Sequence, residues 1–420
     1  MPYLLAWFAF FELNIIEPKK HNGKNLFALS HFRFRGELEV LSSNGFRIFY
    51  LDSLFISSIQ HYFFKGITPN LKDHHNPSEN SNAYFAAKNL NKFYREFIKS
   101  FLKIKKIDVV ISAMAHYPQD MHFGNAFNIE GIPFIVLHRA GVVANKESYK
   151  VLIKRYQKMG IFKGSRIVVQ NKIIKEILIN SGYCNENKIV IIGPTRMNMF
   201  RRNINNYKFK TPTNNILTLF SFTHSAGRSI VYGSNNIHFN WTTNNKEGLV
   251  SFFDNVHSQI AFYALSNPHI KVNIKLKWED DWYDKVEYIV KRVCGGEIPK
   301  NLSIISGNNG SSLVSESKVV VAFGSTVLLE AGLLGKHVIL PIFDEAGEKT
   351  FLRYFPLYEA VNGCYVAKNK EELFDLASSL MNTPVNGFAK NKRMLKLYEK
   401  YLGKLEDNTE DLLIKFLKEF

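Results

Sequence analysis

Apolar residues along the chain come in short runs of four to six, separated by longer segments in which they recur every three or four positions. The runs read as buried strands and the segments as amphipathic helices. "NLFALS" from Asn25, "FRIFYLDS" from Phe46, "IDVVISAMA" from Ile107, "IPFIVLHRAG" from Ile132, "SRIVVQN" from Ser165 and "KIVIIG" from Lys188 are six such strands. Between them lie helical stretches: "GELEVLSSNG", "AYFAAKNLNKFYREFIKSFLKI", a segment around "DMHFGNAFNIEG", "KESYKVLIKRYQKMGIFKG" and "KIIKEILINSG". "HFRFR" after the first strand reads as a loop, and the polar, His/Asn-rich residues 53–82 read as a loop or small insertion. Strand alternating with helix implies a parallel, doubly wound sheet, whose ligands lie beyond the carboxyl ends of the strands.

An Asn/Thr-rich stretch, "RRNINNYKFKTPTNN", interrupts the pattern, which then restarts with "ILTLFSF", "HIKVNIKLK", "LSIISG", "KVVVAFG" and "KHVILPIF" as strands. The expected organisation is a first Rossmann-like domain over 1–205, a linker at 206–215, a second Rossmann-like domain over 216–385 and helices over 386–420 that cross back to the first. At 420 residues two domains is the expected number. The opening "MPYLLAWFAFFELNII" lacks a basic leader and is too short to span a bilayer; it reads as a buried strand or helix, or as a membrane-surface contact through Trp7, Phe8, Phe10 and Phe11.

Charge adds a preference for anions. The 54 Lys and Arg against 37 Asp and Glu give +17, which attracts polyanions, anionic membranes and phosphorylated substrates alike. The basic residues are dispersed, with no basic arm or zinc-knuckle spacing, so nucleic acid is not the expected partner. Three cysteines far apart form neither a disulfide framework nor a metal motif, which suits a reducing cytoplasm.

The chemistry concentrates in "VVVAFGSTVLLEAGLLGKHVILP", from Val319 to Pro341. It reads as strand, turn, helix, strand. Gly324 lets the backbone approach a ligand, and Ser325 and Thr326 either bind phosphate at the helix start or simply cap it. Glu330 lies one turn further on the same face, placed to accept hydrogen bonds from ribose hydroxyls or to face solvent. Thr223, His224 and Arg228 occupy the loop after the first strand of the second domain, where an arginine can hold a phosphate or carboxylate. In the first domain His31, His116, Asp120, His122 and His138 fall near strand ends, with His116 as candidate base and Asp120 as its orienter. Arg33, Arg35 and Arg139 join them and favour an anionic substrate. His116 and His122 do not match the HExxH zinc signature, and no metal site is expected.

"VAFGSTVLLEAGLLGKHVILP" resembles the nucleotide-binding segment of GT-B glycosyltransferases, especially the bacterial enzymes that build capsule and lipopolysaccharide chains. "KIVIIGPTRMNMF" is similar to the end of their N-terminal domain, although Thr195 intrudes in the turn and Asn198 replaces an acid. "ILTLFSFTHSAGR" resembles the first strand and loop of their donor domain, "HFRFRGELEVLSSNGFRIFYL" their first N-domain unit, and "KVNIKLKWEDDW" keeps Lys277 but replaces the usual His-Pro by Trp278-Glu279.

The resemblance implies a GT-B architecture, two Rossmann-like domains facing a central cleft. It further implies that Ser325 and Thr326 are donor-phosphate ligands, Glu330 a ribose ligand and Lys277 a charge partner of the leaving phosphate. The expected function is transfer of a sugar from a nucleotide donor, CMP-Kdo or sialic-type or a UDP-sugar, to a glycan or lipid-linked glycan acceptor. No DxD motif is present, so a metal-independent mechanism without cofactor is expected, at the inner face of the plasma membrane as a peripheral protein. Three alternatives stay open: a polyol-phosphate transferase of the teichoic-acid type, a non-hydrolysing sugar-nucleotide epimerase, which shares the two-domain fold but uses no acceptor, and a non-catalytic glycan- or membrane-binding protein.

Overall fold

The structure, a computed structural model, describes residues 2–34, 36–139, 141–143, 146–205, 215–222, 248–277, 281–307, 310–352, 355, 357–385 and 392–420. The chain forms two compact units. One comprises Met1–Gly141, Lys150–Arg201 and Tyr401–Phe420, and the other Val142–Tyr149 and Arg202–Lys400.

The first unit holds seven strands: β1 (Asn14–Ile16), β2 (Asn25–Ala28), β3 (Arg47–Tyr50), β4 (Val109–Ser112), β5 (Phe134–Leu137), β6 (Arg166–Val169) and β7 (Ile189–Ile191). Their order is β1-β3-β2-β4-β5-β6-β7, parallel throughout except for β1 against β3. β4 and β5 are buried at all four positions, because helices cover both faces of a parallel sheet, and this is why their sequences run apolar instead of alternating. Strand order reverses between β2 and β4, which are in register as Leu26 with Val109 and Ala28 with Ile111.

The second unit holds β8 (Ile216–Phe220), β9 (Lys271–Lys275), β10 (Leu302–Ile305), β11 (Val319–Ala322), β12 (His337–Pro341) and β13 (Tyr365–Ala367). The order β10-β9-β8-β11-β12-β13, all parallel, is the 3-2-1-4-5-6 arrangement of a dinucleotide-binding sheet, with its switch between β8 and β11. The expected fold class, α/β with two doubly wound Rossmann-like units, is the one observed.

The C-terminal chain returns to the first unit. Leu413, Phe416 and Leu417 of the helix Thr409–Lys418 enter the same core cluster as Leu26, Ile48 and Val109. Arg201, 1% exposed, anchors this return: Nη1 donates to Thr409 Oγ1 at 2.9 Å and Nη2 to the carbonyl of Leu402.

Two local expectations are corrected, and a third, the opening segment, resolves to one of its readings. Residues 53–82, read as a loop or insertion, form the helices Ser53–Phe63 and Leu71–His75 and the start of Asn82–Ile104. The first is capped by Asp52, whose Oδ1 accepts from Leu54 N at 2.7 Å, and the second by a capping box between Asn70 and Asp73. The polar residues that looked like loop are therefore caps. "HFRFR" contains a single 3₁₀ turn, His31–Arg33. The opening segment is a helix, Pro2–Phe11, followed by β1; Ala6 and Ala9 are buried, but Tyr3, Leu4, Trp7, Phe8 and Phe11 are exposed.

Candidate active site

At the switch of the second sheet, β11 ends at Ala322 and the chain turns through Phe323 to Thr326 into the helix Val327–Leu333. Gly324 makes the turn at φ +59°, in the left-handed region that costs an L side chain about 1–2 kcal/mol. Ser325 and Thr326 are half-buried, and Val327 N donates to Ser325 Oγ at a long 3.4 Å. The Thr326 hydroxyl caps no helix N–H; it donates to Glu330 Oε1 at 3.0 Å. Glu330 is 6% exposed, so it is neither solvated nor a surface residue. The arrangement supplies a glycine turn, two hydroxyls and a fixed carboxylate in seven consecutive residues beside the switch, where nucleotide phosphates and riboses bind in such sheets.

Beside this turn, β8 ends at Phe220 and Ser221 follows. Ser221 Oγ lies 2.8 Å from His257 Nε2, and His257 Nδ1 lies 2.7 Å from the carbonyl of Phe253. A carbonyl only accepts, so Nδ1 carries the proton and Nε2 accepts from the serine hydroxyl. Burial pushes the His257 imidazole down to about 4. The sequence reading missed this pair, because a histidine inside an apolar helix carries no local signal. Glu345 was missed because its partners lie more than 90 positions away: its carboxylate accepts from Ser251 N at 2.9 Å and Phe252 N at 2.7 Å and so holds the start of the helix Val250–Ser266. Lys277 follows β9, the neighbour of β8, and is exposed. Thr223, His224 and Arg228 lie outside the described residues.

At the switch of the first sheet, Asp120 is fully buried and receives two hydroxyls, Ser30 Oγ on Oδ1 and Ser112 Oγ on Oδ2, both at 2.7 Å. It ties the end of β2 to the end of β4. Both oxygens are thus engaged by serines instead of by an imidazole, which differs from the orienting role toward His116. Burial raises its carboxyl to about 6, against the opposing pull of Ser112, Ser30 and Arg33.

His116 follows β4, and its imidazole is held well below the ordinary value, first by burial and then by Arg155, His138, His75 and Arg33. His138, 3% exposed, meets Tyr156 OH at 2.7 Å through Nε2. His31 stacks on Tyr50 with centroids 3.9 Å apart, and burial lowers its pKa while Asp52 opposes. The Arg33 guanidinium lies 4.2 Å from the Tyr117 ring centroid. Arg139 follows β5, its N–H bonded to Ala113 O, and Arg35 is outside the described residues. The structure therefore places Arg155, His138, His75 and Arg33 within electrostatic reach of His116, and burial with these neighbours keeps that imidazole neutral. Among the described residues no group of three or more His, Cys, Asp or Glu side chains is placed to hold a metal ion.

No family model matches the chain, and no curated protein matches it in sequence. Solved structures are similar over nearly its whole length. UDP-GlcNAc 2-epimerase from Neisseria meningitidis, bound to UDP-GlcNAc, is 12% identical with a TM-score of 0.48 over 94% of this chain and 99% of that one. A UDP-forming trehalose-phosphate synthase from Burkholderia xenovorans is 9% identical with a TM-score of 0.47 over 94% and 98%. The Anabaena protein HepE, in complex with UDP and glucose, is 11% identical with a TM-score of 0.43 over 95% and 100%.

Proposed function

We propose that this chain is a glycosyltransferase that takes a sugar from a nucleotide-activated donor, CMP-Kdo or sialic-type or a UDP-sugar, and passes it to a surface-polysaccharide or lipopolysaccharide acceptor. The observation that carries the reading is the Gly324-Ser325-Thr326 turn, with Glu330 fixed behind it, at the switch point of a 3-2-1-4-5-6 sheet. Ser325 and the backbone N–H groups of the turn would hold the donor phosphate, and Glu330 the ribose hydroxyls. On transfer the anomeric carbon gains a bond to the acceptor oxygen and loses its bond to the phosphate oxygen, which departs with the electron pair. The turn and Lys277 would meet that charge without a metal cofactor. The acceptor hydroxyl would lose its proton to an imidazole of the first unit, for which neutral His116 is the first choice and His31 and His138 the others.

A peripheral position on a membrane belongs to the same reading. No helix among the described residues is long and apolar enough to cross a bilayer. The helix Pro2–Phe11 has no charged residue and exposes Tyr3, Leu4, Trp7, Phe8 and Phe11 at helical spacing, the composition of an interfacial contact. Co-sedimentation with anionic vesicles, lost in Trp7→Ser/Phe8→Ser, tests this part.

The central test is thermal stabilisation by CMP, CDP, UDP and GDP, since a ligand that binds only the native state raises its melting temperature. One nucleotide should shift the transition, and Ser325→Ala and Glu330→Ala should abolish that shift while the unliganded protein still melts cooperatively. If no nucleotide shifts it, or both variants respond as the parent does, the reading is wrong.

A further inference from the structure

Away from both strand-end sites, the first unit carries a groove of about 650 Å³ between the helices Asn82–Ile104 and Pro118–Ile129, completed by His74–Glu79 and Met159–Lys163. One wall is the stripe Tyr84, Lys88, Lys92, Arg95 and Lys99, spaced three or four residues apart, with Asn91 beside Lys92. From Tyr84 to Lys99 it runs about 22 Å at 1.5 Å per residue, longer than any single sugar or nucleotide base. We propose that this groove binds an acidic oligosaccharide, a sugar chain bearing carboxylate, phosphate or sulfate groups.

Two sets of groups define that chemistry. The rim carries a surplus of positive charge, Lys88, Lys92, Arg95, Lys99 and Lys163 against Glu79 and Glu96. Lys88, Lys92 and Lys163 are exposed, and none of them enters an ion pair among the described residues, whereas Arg95 is taken by Glu130 at 2.9 Å and Lys99 by Glu96 at 3.5 Å. The floor is the opposite. His122, 8% exposed, places Nδ1 3.1 Å from Asn91 Oδ1; that oxygen only accepts, so Nδ1 carries the proton and Nε2 is a lone pair. His122 Nε2 and Asn125 Oδ1 are both buried without a hydrogen-bond partner. Buried acceptors left unmet are costly, and a ligand that brings hydroxyl donors removes the cost once the Asn125 and His122 side chains turn toward the groove. Burial keeps the His122 and His75 imidazoles near 3 and 4, so the floor stays uncharged at neutral pH.

Met121, Ile129, Met159 and Phe162 supply apolar surface for the faces of sugar rings. Hydroxyl donors below, negative charge above and apolar ring faces between are found together in an acidic glycan. A bare phosphate or polyphosphate has no hydroxyl donors for the floor, and a neutral glycan does not answer the rim.

The test is calorimetric titration of the full-length protein with a galacturonic acid hexamer and with a sialic acid oligomer, against maltohexaose and inorganic polyphosphate. At least one acidic oligosaccharide should bind saturably and at least tenfold tighter than maltohexaose. Lys88→Glu/Lys92→Glu and, separately, Asn125→Leu should each weaken it about tenfold, with melting checked to show that both fold. Lys300→Glu/Lys368→Glu, which makes the same charge change in the second unit, should leave it unaltered.

Three outcomes would overturn the proposal: no saturable binding of either acidic oligosaccharide, polyphosphate binding as tightly as they do, or equal loss in the control variant. The last two would mean general attraction to a chain of charge +17. Because Ser325→Ala and Glu330→Ala lie in the other unit and should leave this binding intact, failure here and failure of the nucleotide site are separable.

Discussion

Thr326 Oγ1 donates to Glu330 Oε1 at 3.0 Å across one turn of helix, and this bond fixes a nearly buried carboxylate beside the Gly324 turn. Thr326→Val keeps the shape of the side chain and removes the donor. A lost hydrogen bond to a charged group costs about 1.5–3 kcal/mol. The expected result is a fall of that size in urea stability and a several-fold loss of nucleotide affinity as Glu330 is released. An unchanged affinity with the expected stability loss would make the pair purely structural.

Gly324 gives a second handle on the same turn. A Cβ there would meet nothing nearer than the Phe355 ring at 3.7 Å, so space is not the obstacle and φ +59° is. Gly324→Ala should therefore cost about 1–2 kcal/mol from backbone strain alone. If the variant relieves strain by moving the turn, nucleotide-induced stabilisation should shrink as well. Stability equal to the parent's would contradict the left-handed assignment.

Asp120 predicts a pH signature. Its folded carboxyl is raised from 3.8 to about 6 by burial, so the native state binds its proton more tightly than the unfolded chain does. The stability it contributes is complete below pH 3.8 and is lost as pH rises through about 6, a change of about 3 kcal/mol. Asp120→Asn should lack this change. Unfolding free energies of parent and variant, compared at pH 4 and pH 7.5, should favour the parent more at the lower pH. A gap that does not vary with pH would show that Asp120 is ionised throughout.

His257 predicts the opposite slope. Its pKa falls from 6.5 to about 4 on burial, so the stability it contributes is present above pH 6.5 and lost as pH falls through about 4. The change is again about 3 kcal/mol. His257→Gln keeps a polar group near Ser221 but does not titrate, and should flatten this part of the profile. Parent and variant losing stability in parallel from pH 7 to pH 4 would locate the acid sensitivity elsewhere, with His75 and His122 the next to substitute.

Arg201 holds the return of the chain. Its guanidinium reaches Leu402, Asp407 and Thr409, more than 200 residues away in sequence. Arg201→Met should leave these buried acceptors unmet and cost on the order of 3 kcal/mol. Limited proteolysis should then cut near residues 402–408 before the rest of the chain. Cleavage beginning elsewhere, with 402–408 still protected, would show that the helix Thr409–Lys418 docks through its apolar face alone.

Strand runs, helical periodicity and the Gly324–Glu330 segment were legible because each is written in neighbouring residues: burial on both faces makes β5 and β11 continuously apolar and β4 apolar up to Ser112, and a left-handed turn calls for glycine. Local polarity misled at 53–82, where Asp52, Asn70 and Asp73 cap helices that composition alone suggested were absent. Contacts across the sheet had no such signature. Ser30 with Asp120 spans 90 positions, Ser221 with His257 spans 36, and the groove floor joins Asn91 to His122. The sequence determined which segments become strands and helices and where a glycine turn leads into the helix Val327–Leu333, since those depend on local backbone preference and on period. Only the tertiary structure decided which buried polar groups satisfy each other and which stay unmet, because desolvation makes partners obligatory only after strand order has brought distant residues together.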